Sequence, residues 1–378
     1  MKKGGITDLK EEKKTLNEDK TTLKEAPFLA IKGFLMGSAD IVPGVSGGTM
    51  ALILGIYERL LNAIKSADVT FIKNLFTFKW KVAFNQLHVF FLVVLFSGIF
   101  SALAFFTKVV PLQVYMFTHP EIVYGIFFGL IVGSIYILIK TLKEFKIKEL
   151  ISLIAGMGFG LWIVSLVPAD TPDHPLFVFV SGAIAICAMI LPGISGSYLL
   201  LIMRKYDYLL TQIGMIGGEE TMDGIIGLMP FMLGALVGLT LFSRFLSWLL
   251  GKFHAQTISV LIGFLIGSLF VIWPFQHREF IEQVREVEVV SILDIRVLEL
   301  KENPNENLPE FERLGEQVNT NTIQVQTIKK KLIKSSPYIP GSIGSNGKET
   351  PNIWGGILGM LVGVIMVGGL DKLREVKE

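Results

Sequence analysis

The sequence predicts an all-α, polytopic membrane protein. Six transmembrane helices and two re-entrant helical hairpins are expected, arranged as two inverted repeats with a small extracytoplasmic insertion that has room for β structure. Three observations predict this: a composition too apolar for a soluble domain, a helix-breaking phrase written twice, and a distribution of basic residues that permits one threading.

Of 378 residues, 51% are hydrophobic and 18% charged, with 28 Phe and 38 Gly, and the mean hydropathy is +0.56. A soluble chain of this length carries more charge. The formal charge of +2 conceals segregation, because charged residues crowd into loops and ends. Nucleic acid is therefore not an expected partner. Cys187 is the single cysteine, so no intramolecular disulfide is available; inside an apolar run it reads as a small buried hydrophobe. Residues 1–27 form a Lys/Glu/Thr-rich tail with no apolar signal region, expected to be cytoplasmic. His88, His119, His174, His254 and His277 are scattered and show no metal spacing. Neither a metal nor a cofactor is expected.

Residues 40–61 read D-I-V-P-G-V-S-G-G-T-M-A-L-I-L-G-I-Y-E-R-L-L, and residues 189–210 read M-I-L-P-G-I-S-G-S-Y-L-L-L-I-M-R-K-Y-D-Y-L-L. Pro43 aligns with Pro192, Gly44 with Gly193, Ser46 with Ser195, Gly47 with Gly196, Tyr57 with Tyr206 and Glu58 with Asp207. In the first copy an apolar piece runs from Phe28 to Ile41, stops at Pro43-Gly44, and resumes from Gly47 to Leu61. Each piece makes roughly 21 Å of helix, too short for a hydrocarbon core of about 30 Å. A hairpin that enters and leaves on one side fits both pieces. The second copy repeats the arrangement with Leu176 to Ile190, a break at Pro192-Gly193, and Gly196 to Ile213.

Full crossings are expected at 88–107, 121–139, 150–167, 225–247, 257–274 and 353–370. If the first hairpin returns to its starting side, the tail and the loop carrying Lys65, Lys73, Lys79 and Lys81 share a face. Alternation then puts Lys140, Lys143, Lys146 and Lys148 on that face, followed by Lys252, His254, Lys372, Arg374 and Lys377. Asp170, Asp173, Glu219, Glu220 and Asp223 fall on the other. Every short loop then obeys the positive-inside rule, with both termini cytoplasmic; counting each hairpin as a crossing places basic loops on both sides. Three spans follow the first hairpin, so the second enters from the opposite face. The repeats, 28–167 and 176–370, are inverted, which is the architecture of alternating access. Within the second repeat, residues 276–352 are polar and extracytoplasmic. Glu286 to Leu300 alternates like a strand, which points to a small β-containing outer lobe, and a partly disordered loop is the alternative.

Breaking a helix inside a membrane exposes backbone groups that need partners. Ser46 and Ser195 stand as N-caps of the resuming half-helices. Gly47, Gly48 and Thr49, with Gly196 and Ser197, offer amides and hydroxyls suited to a phosphate or carboxylate. Arg59 and Arg204, near the mouths of these half-helices, are candidate anion ligands, with surface pairing or snorkelling as the simpler reading. Asp40, Glu58 and Asp207 are candidates for a coupling proton or sodium ion; Asp40 has an equal claim to cap the loose hairpin backbone. Lys32 either snorkels or draws an anion inward, and Arg244 reads as a topology anchor. Tyr57 and Tyr206 are expected in the interfacial aromatic belt. Gly125, Gly129 and Gly133, four residues apart, point to close helix packing.

The run G-S-A-D-I-V-P-G-V-S-G-G-T with G-I-Y-E-R-L-L, and the later L-P-G-I-S-G-S, resembles a bacterial membrane family associated with polyprenyl-phosphate transport. The resemblance implies a flippase in the inner (cytoplasmic) membrane that returns undecaprenyl phosphate, the lipid carrier of cell-wall precursors, from the outer to the inner leaflet. Anion-binding half-helices suit the phosphate, and apolar surfaces leave the isoprenoid tail in lipid. This chain departs from the pattern at Arg204-Lys205-Tyr206, where the first copy has Gly-x-Tyr. The alternatives are a membrane polyprenyl-diphosphate phosphatase and an ion-coupled carrier of a small anion. The phosphatases resemble this chain in a P-G-x-S-R-S motif, but Gly47 stands at the Arg position. A transferring phosphoryl group then lacks its cation.

Overall fold

A computed structural model describes residues 21–42, 46–142, 145–166, 171–302, 306, 308–340 and 351–375. Pro43, Gly44, Lys143, Asp170, Lys377 and the tail before residue 21 lie outside the described residues. The chain divides into two compact units. One comprises Met1–Phe105, Gly133–Leu269 and Val367–Glu378, and the other Phe106–Val132 and Phe270–Met366.

The first motif folds as α1 (Ala26–Asp40), α2 (Gly47–Ile53) and α3 (Tyr57–Lys65). Two short helices, α4 (Val69–Phe76) and α5 (Trp80–Gln86), lead to α6 (Val89–Lys108), α7 (Leu112–Thr118), α8 (Pro120–Thr141) and α9 (Ile147–Ser165). The second motif folds as α10 (Pro175–Ile190), α11 (Gly196–Ile202) and α12 (Lys205–Met215), followed by α13 (Thr221–Lys252) and α14 (His254–Ile272). The two motifs keep one spacing: α1 and α10 start at 26 and 175, α2 and α11 at 47 and 196, each pair 149 residues apart. The half-helices expected over 47–61 and 196–213 are each split in two. Gly55 (φ 67°) and Arg204 (φ 50°) adopt left-handed backbone, which turns the chain and ends the helix.

Among the described residues, five helices are long and apolar enough to cross a membrane: α6, α8, α9, α13 and α14. Their outward faces carry large exposed apolar residues, among them Phe96 and Phe100 on α6 and Leu236, Leu241 and Trp248 on α13. Such faces suit lipid, and helices suit lipid because they pair their own backbone groups. The expected sixth span lies in α16 (Ile353–Glu375), whose apolar stretch among the described residues is Ile353–Gly369. Asp371 and Lys372 follow it.

Small residues bring the helices together in parallel pairs. In the first unit α1 packs along α6: a Cβ on Gly33 would strike Leu95 O, and one on Gly37 would lie 2.8 Å from Ile99 Cα. Higher numbers meet higher numbers, so α1 and α6 run the same way. Likewise Gly182 of α10 meets Phe231 of α13, and Ala183 meets Gly238. α9 packs on α14, with Gly156 against Val260 and Gly160 against Phe264. In the second unit α8 packs on α16, with Gly125 against Gly356 and Gly129 against Met360. The packing role expected for Gly125 and Gly129 is thus observed. Backbones approach this closely only where side chains are absent.

The second unit also holds an antiparallel sheet of β1 (Gln276–Ser291), β2 (Glu310–Asn319) and β3 (Thr322–Pro337), in the order β1-β3-β2. β1 pairs with β3 from Gln276↔Pro337 to Ser291↔Thr322, and Phe311 of β2 faces Ile328 of β3. A helix, α15 (Ile295–Glu302), precedes β2, and Val297, Phe311, Val325 and Ile328 form a small buried core. The strand expected over Glu286 to Leu300 therefore stops at Ser291. Asp294 ends it: its Oδ1 accepts from Arg296 N at 2.9 Å and its carbonyl from Val297 N at 3.0 Å, nucleating α15. Such an aspartate competes with strand pairing.

Candidate functional site

The two motifs meet in the first unit, end against flank. Gly48, near the start of α2, lies so close to the last turn of α10 that a Cβ there would stand 2.7 Å from Ile190 O and 3.0 Å from Met189 O. Among the described residues, three hydrogen bonds cross this seam. Gly193 N donates to Thr49 Oγ1 at 2.8 Å, Tyr57 Oη to Ile190 O at 3.0 Å, and Ser46 Oγ to Met189 O at 3.4 Å. Gly193 sits at φ 83°, a conformation that glycine adopts freely. The carbonyls of Ile190 and Met189, which receive two of these bonds, are among those a helix leaves open at its C-terminus. Tyr57, expected in the aromatic belt, is instead only 3% exposed and seals the seam; Tyr206 is exposed.

Both ends of α2 are completed by side chains of α1. At the N-terminus Gly47 N donates to Asp40 Oδ1 at 2.6 Å and Gly48 N to Ser46 Oγ at 3.2 Å. At the other end Lys32 Nζ donates to Leu54 O at 2.8 Å. Each charge opposes the partial charge of the helix end it meets. Asp40 thus caps the hairpin backbone, and Lys32 Nζ is bound to the carbonyl of Leu54. Ser46, Gly47, Gly48 and Thr49 are all buried.

The second copy is more open. Ser195 accepts from Tyr198 N at 3.5 Å, and its hydroxyl lies 2.9 Å from that of exposed Ser197. Pro192 and Gly196 are buried. Met189 stands where the first copy has Asp40.

The charged candidates are distributed around this seam. Arg59 Nη2 donates to Thr21 Oγ1 at 2.6 Å, its Nη1 lies 3.8 Å from Glu25 Oε2, and its guanidinium covers the Phe91 ring. Glu58 pairs with His254 at 3.1 Å, both exposed. Arg204 and Asp207 are exposed on α12 and at its start. Reasoning from sequence missed Lys205. It is 1% exposed, forms an ion pair with Asp173, and donates to Thr171 O at 3.1 Å. The signal was present: a lysine stands in copy two where copy one has Ile56. No group of three or more His, Cys, Asp or Glu that could hold a metal ion occurs among the described residues.

Residues 36–289 match the model of a family described as VCA0040-like, undecaprenyl phosphate translocase-like. The chain is similar to a polyprenyl-phosphate transporter of Vibrio cholerae, with 39% identity over 252 residues, covering 65% of this chain and 77% of the relative. It is also similar to a polyprenyl-phosphate transporter of Staphylococcus aureus, at 30% identity over 257 residues, 65% of this chain and 85% of the relative. No solved structure matches the chain.

Proposed function

Because the chain belongs to the VCA0040-like, undecaprenyl phosphate translocase-like family, we propose that it carries a polyprenyl phosphate, undecaprenyl phosphate in the first place, between the leaflets of the inner membrane. The net movement is from outer to inner leaflet, returning the carrier lipid for envelope synthesis. The substrate rests on the relatives named polyprenyl-phosphate transporters. The means of transport rests on one observation, the joining of two broken helices through Thr49, Tyr57 and Ser46. Broken helices meeting at membrane depth are how inverted-repeat carriers build a substrate site.

Helix direction supports the inverted reading. Since α1 and α6 run parallel, the chain between them returns to the level where α1 began, as a re-entrant hairpin does; α10 and α13 repeat this. Three spans lie between the first hairpin and the second. Within their own units, α8 with α16 and α9 with α14 each run parallel through small residues. The repeats are 28–167 and 176–370, and both termini face the cytoplasm.

The phosphate enters at the open copy, where the Ser195 and Ser197 hydroxyls lie together at the start of α11. It then competes with Asp40 for the amide of Gly47. A carboxylate already seated on that amide is the local precedent for an anion there. Displaced Asp40 is the group that takes up a coupling proton or sodium ion. Asp40→Ala is expected to bind polyprenyl phosphate more tightly while transport loses its dependence on a cation gradient; unchanged affinity and unchanged gradient dependence would remove Asp40 from the mechanism. The reading as a whole is tested in proteoliposomes by leaflet exchange of polyprenyl phosphate, alongside release of inorganic phosphate from its diphosphate. Exchange without release supports a carrier. Release without exchange selects the phosphatase.

A further inference from the structure

The two motifs share a second likeness that the repeated phrase does not encode. In each, the few residues before the first helix are fastened by a cation at the start of the third. In copy one, Arg59 of α3 holds Thr21 and Glu25 at 2.6 and 3.8 Å, its guanidinium 4.8 Å from the Phe91 ring centroid. In copy two, Lys205 of α12 holds Asp173 and the carbonyl of Thr171, its ammonium 5.5 and 5.6 Å from the Phe177 and Tyr208 rings. The carbonyl at the helix break is tied in both: Lys32 Nζ donates to Leu54 O, and Thr171 Oγ1 donates to Met203 O. Leu54 and Met203 are themselves 149 residues apart. The cations are not aligned positions, since Arg59 matches Tyr208 and Lys205 matches Ile56. A mechanical demand therefore explains the likeness better than common descent of the phrase.

We propose that Arg59 with Thr21 and Glu25, and Lys205 with Thr171 and Asp173, are positioning residues that latch the transport path, one latch on each face of the membrane, and that one opens while the other stays shut. The opposite placement of the latches rests on the inverted-repeat reading above. Their burial differs in this structure. The Lys205 latch is buried on the cation side, with side-chain exposures of 1% and 67%, whereas Arg59 and Glu25 are 24% and 48% exposed. Attraction between charges grows as water is excluded, so the conformation described is the one sealed at the Lys205 face. Opening that face requires Lys205 to exchange its partners for water or for the anionic substrate.

The test uses the full chain with Cys187→Ser and a Ser197→Cys reporter, in vesicles of known orientation, labelled by a membrane-impermeant maleimide from either face. Lys205→Met is expected to raise labelling several-fold from the face that carries Asp173 and to lower it from the face that carries the N-terminus. Arg59→Met is expected to do the reverse. A latch that only braces the fold would lower the melting temperature without this reciprocity. Should Lys205→Met fail to fold, Asp173→Asn, which leaves Lys205 its bond to Thr171 O, carries the same expectation. Folded variants that shift labelling in the same direction, or not at all, overturn the latches. Leaflet exchange of polyprenyl phosphate in the same vesicles separates the two readings: reciprocal labelling without exchange keeps the latches and removes the lipid, and exchange without reciprocity does the opposite.

Discussion

Replacing Thr49 by valine tests the seam between the two broken helices most directly. Valine keeps the shape of threonine, so no cavity opens, and what is lost is the hydroxyl that accepts from Gly193 N at 2.8 Å. Thr49 is 1% exposed, so water does not readily replace it. An amide left unsatisfied in such surroundings costs about 1–3 kcal/mol. That magnitude shifts a two-state equilibrium between joined and separated motifs by roughly 5- to 150-fold. The expected result is a lower unfolding midpoint in detergent and a loss of leaflet exchange in proteoliposomes, both restored by Thr49→Ser, which keeps the oxygen. Tyr57→Phe, which frees Ile190 O, should add to the effect by less than the sum of the single changes, because both bonds close one seam. If Thr49→Val matched the parent in midpoint and in exchange, the seam would not be what holds the motifs together.

Four further outcomes follow from the geometry. Gly55→Ala should lower the unfolding midpoint by imposing about 1 kcal/mol of left-handed strain; an unchanged midpoint would remove the strain argument at φ 67°. Gly359→Ala in α16 would bring a Cβ within 2.6 Å of Ile122 O, and overpacking of this kind costs about 1–3 kcal/mol, read as loss of folded protein on heating. Gly214→Ala, where nothing lies within 4 Å, is the matched control and should be tolerated. Asp68 caps α4 by accepting from Phe71 N at 2.8 Å, and this bond first, with Gln86 and Arg244 after it, holds its carboxyl below the usual carboxylate range. The stability it contributes is present above the ordinary carboxylate pKa and lost as pH falls through its depressed value. Asp68→Ala should therefore cost about 1 kcal/mol at neutral pH, and the difference from the parent should vanish in strong acid; a gap that persists there would mean the cap is not the cause.

The span helices were legible because their signal is local. Length and apolarity alone place 88–107 and 121–139, which are found as Val89–Lys108 and Pro120–Thr141. The helix breaks were legible for the same reason, since Pro-Gly and N-cap serine act on their own backbone. The extra splits at Gly55 and Arg204 were harder to read, because an arginine gives no warning of a left-handed residue. The strand from Glu286 failed beyond Ser291, where alternation continued but Asp294 offered its backbone a helical turn.

By itself the amino-acid sequence determined the membrane class, the paired broken helices, the resemblance to polyprenyl-phosphate transport and the residues from which an anion site can be made. All of these depend on composition or on neighbours in the chain. Only tertiary structure decided how those residues are used: Asp40 on the amide of Gly47, Thr49 on the amide of Gly193, Tyr57 sealed inside, and Lys205 buried and paired with exposed Asp173. Each of these partners lies seven or more residues away along the chain, and Gly193 is 144 residues from Thr49. A hydrogen bond or ion pair forms where packing leaves a polar group without water, and which group that is depends on what the fold places against it.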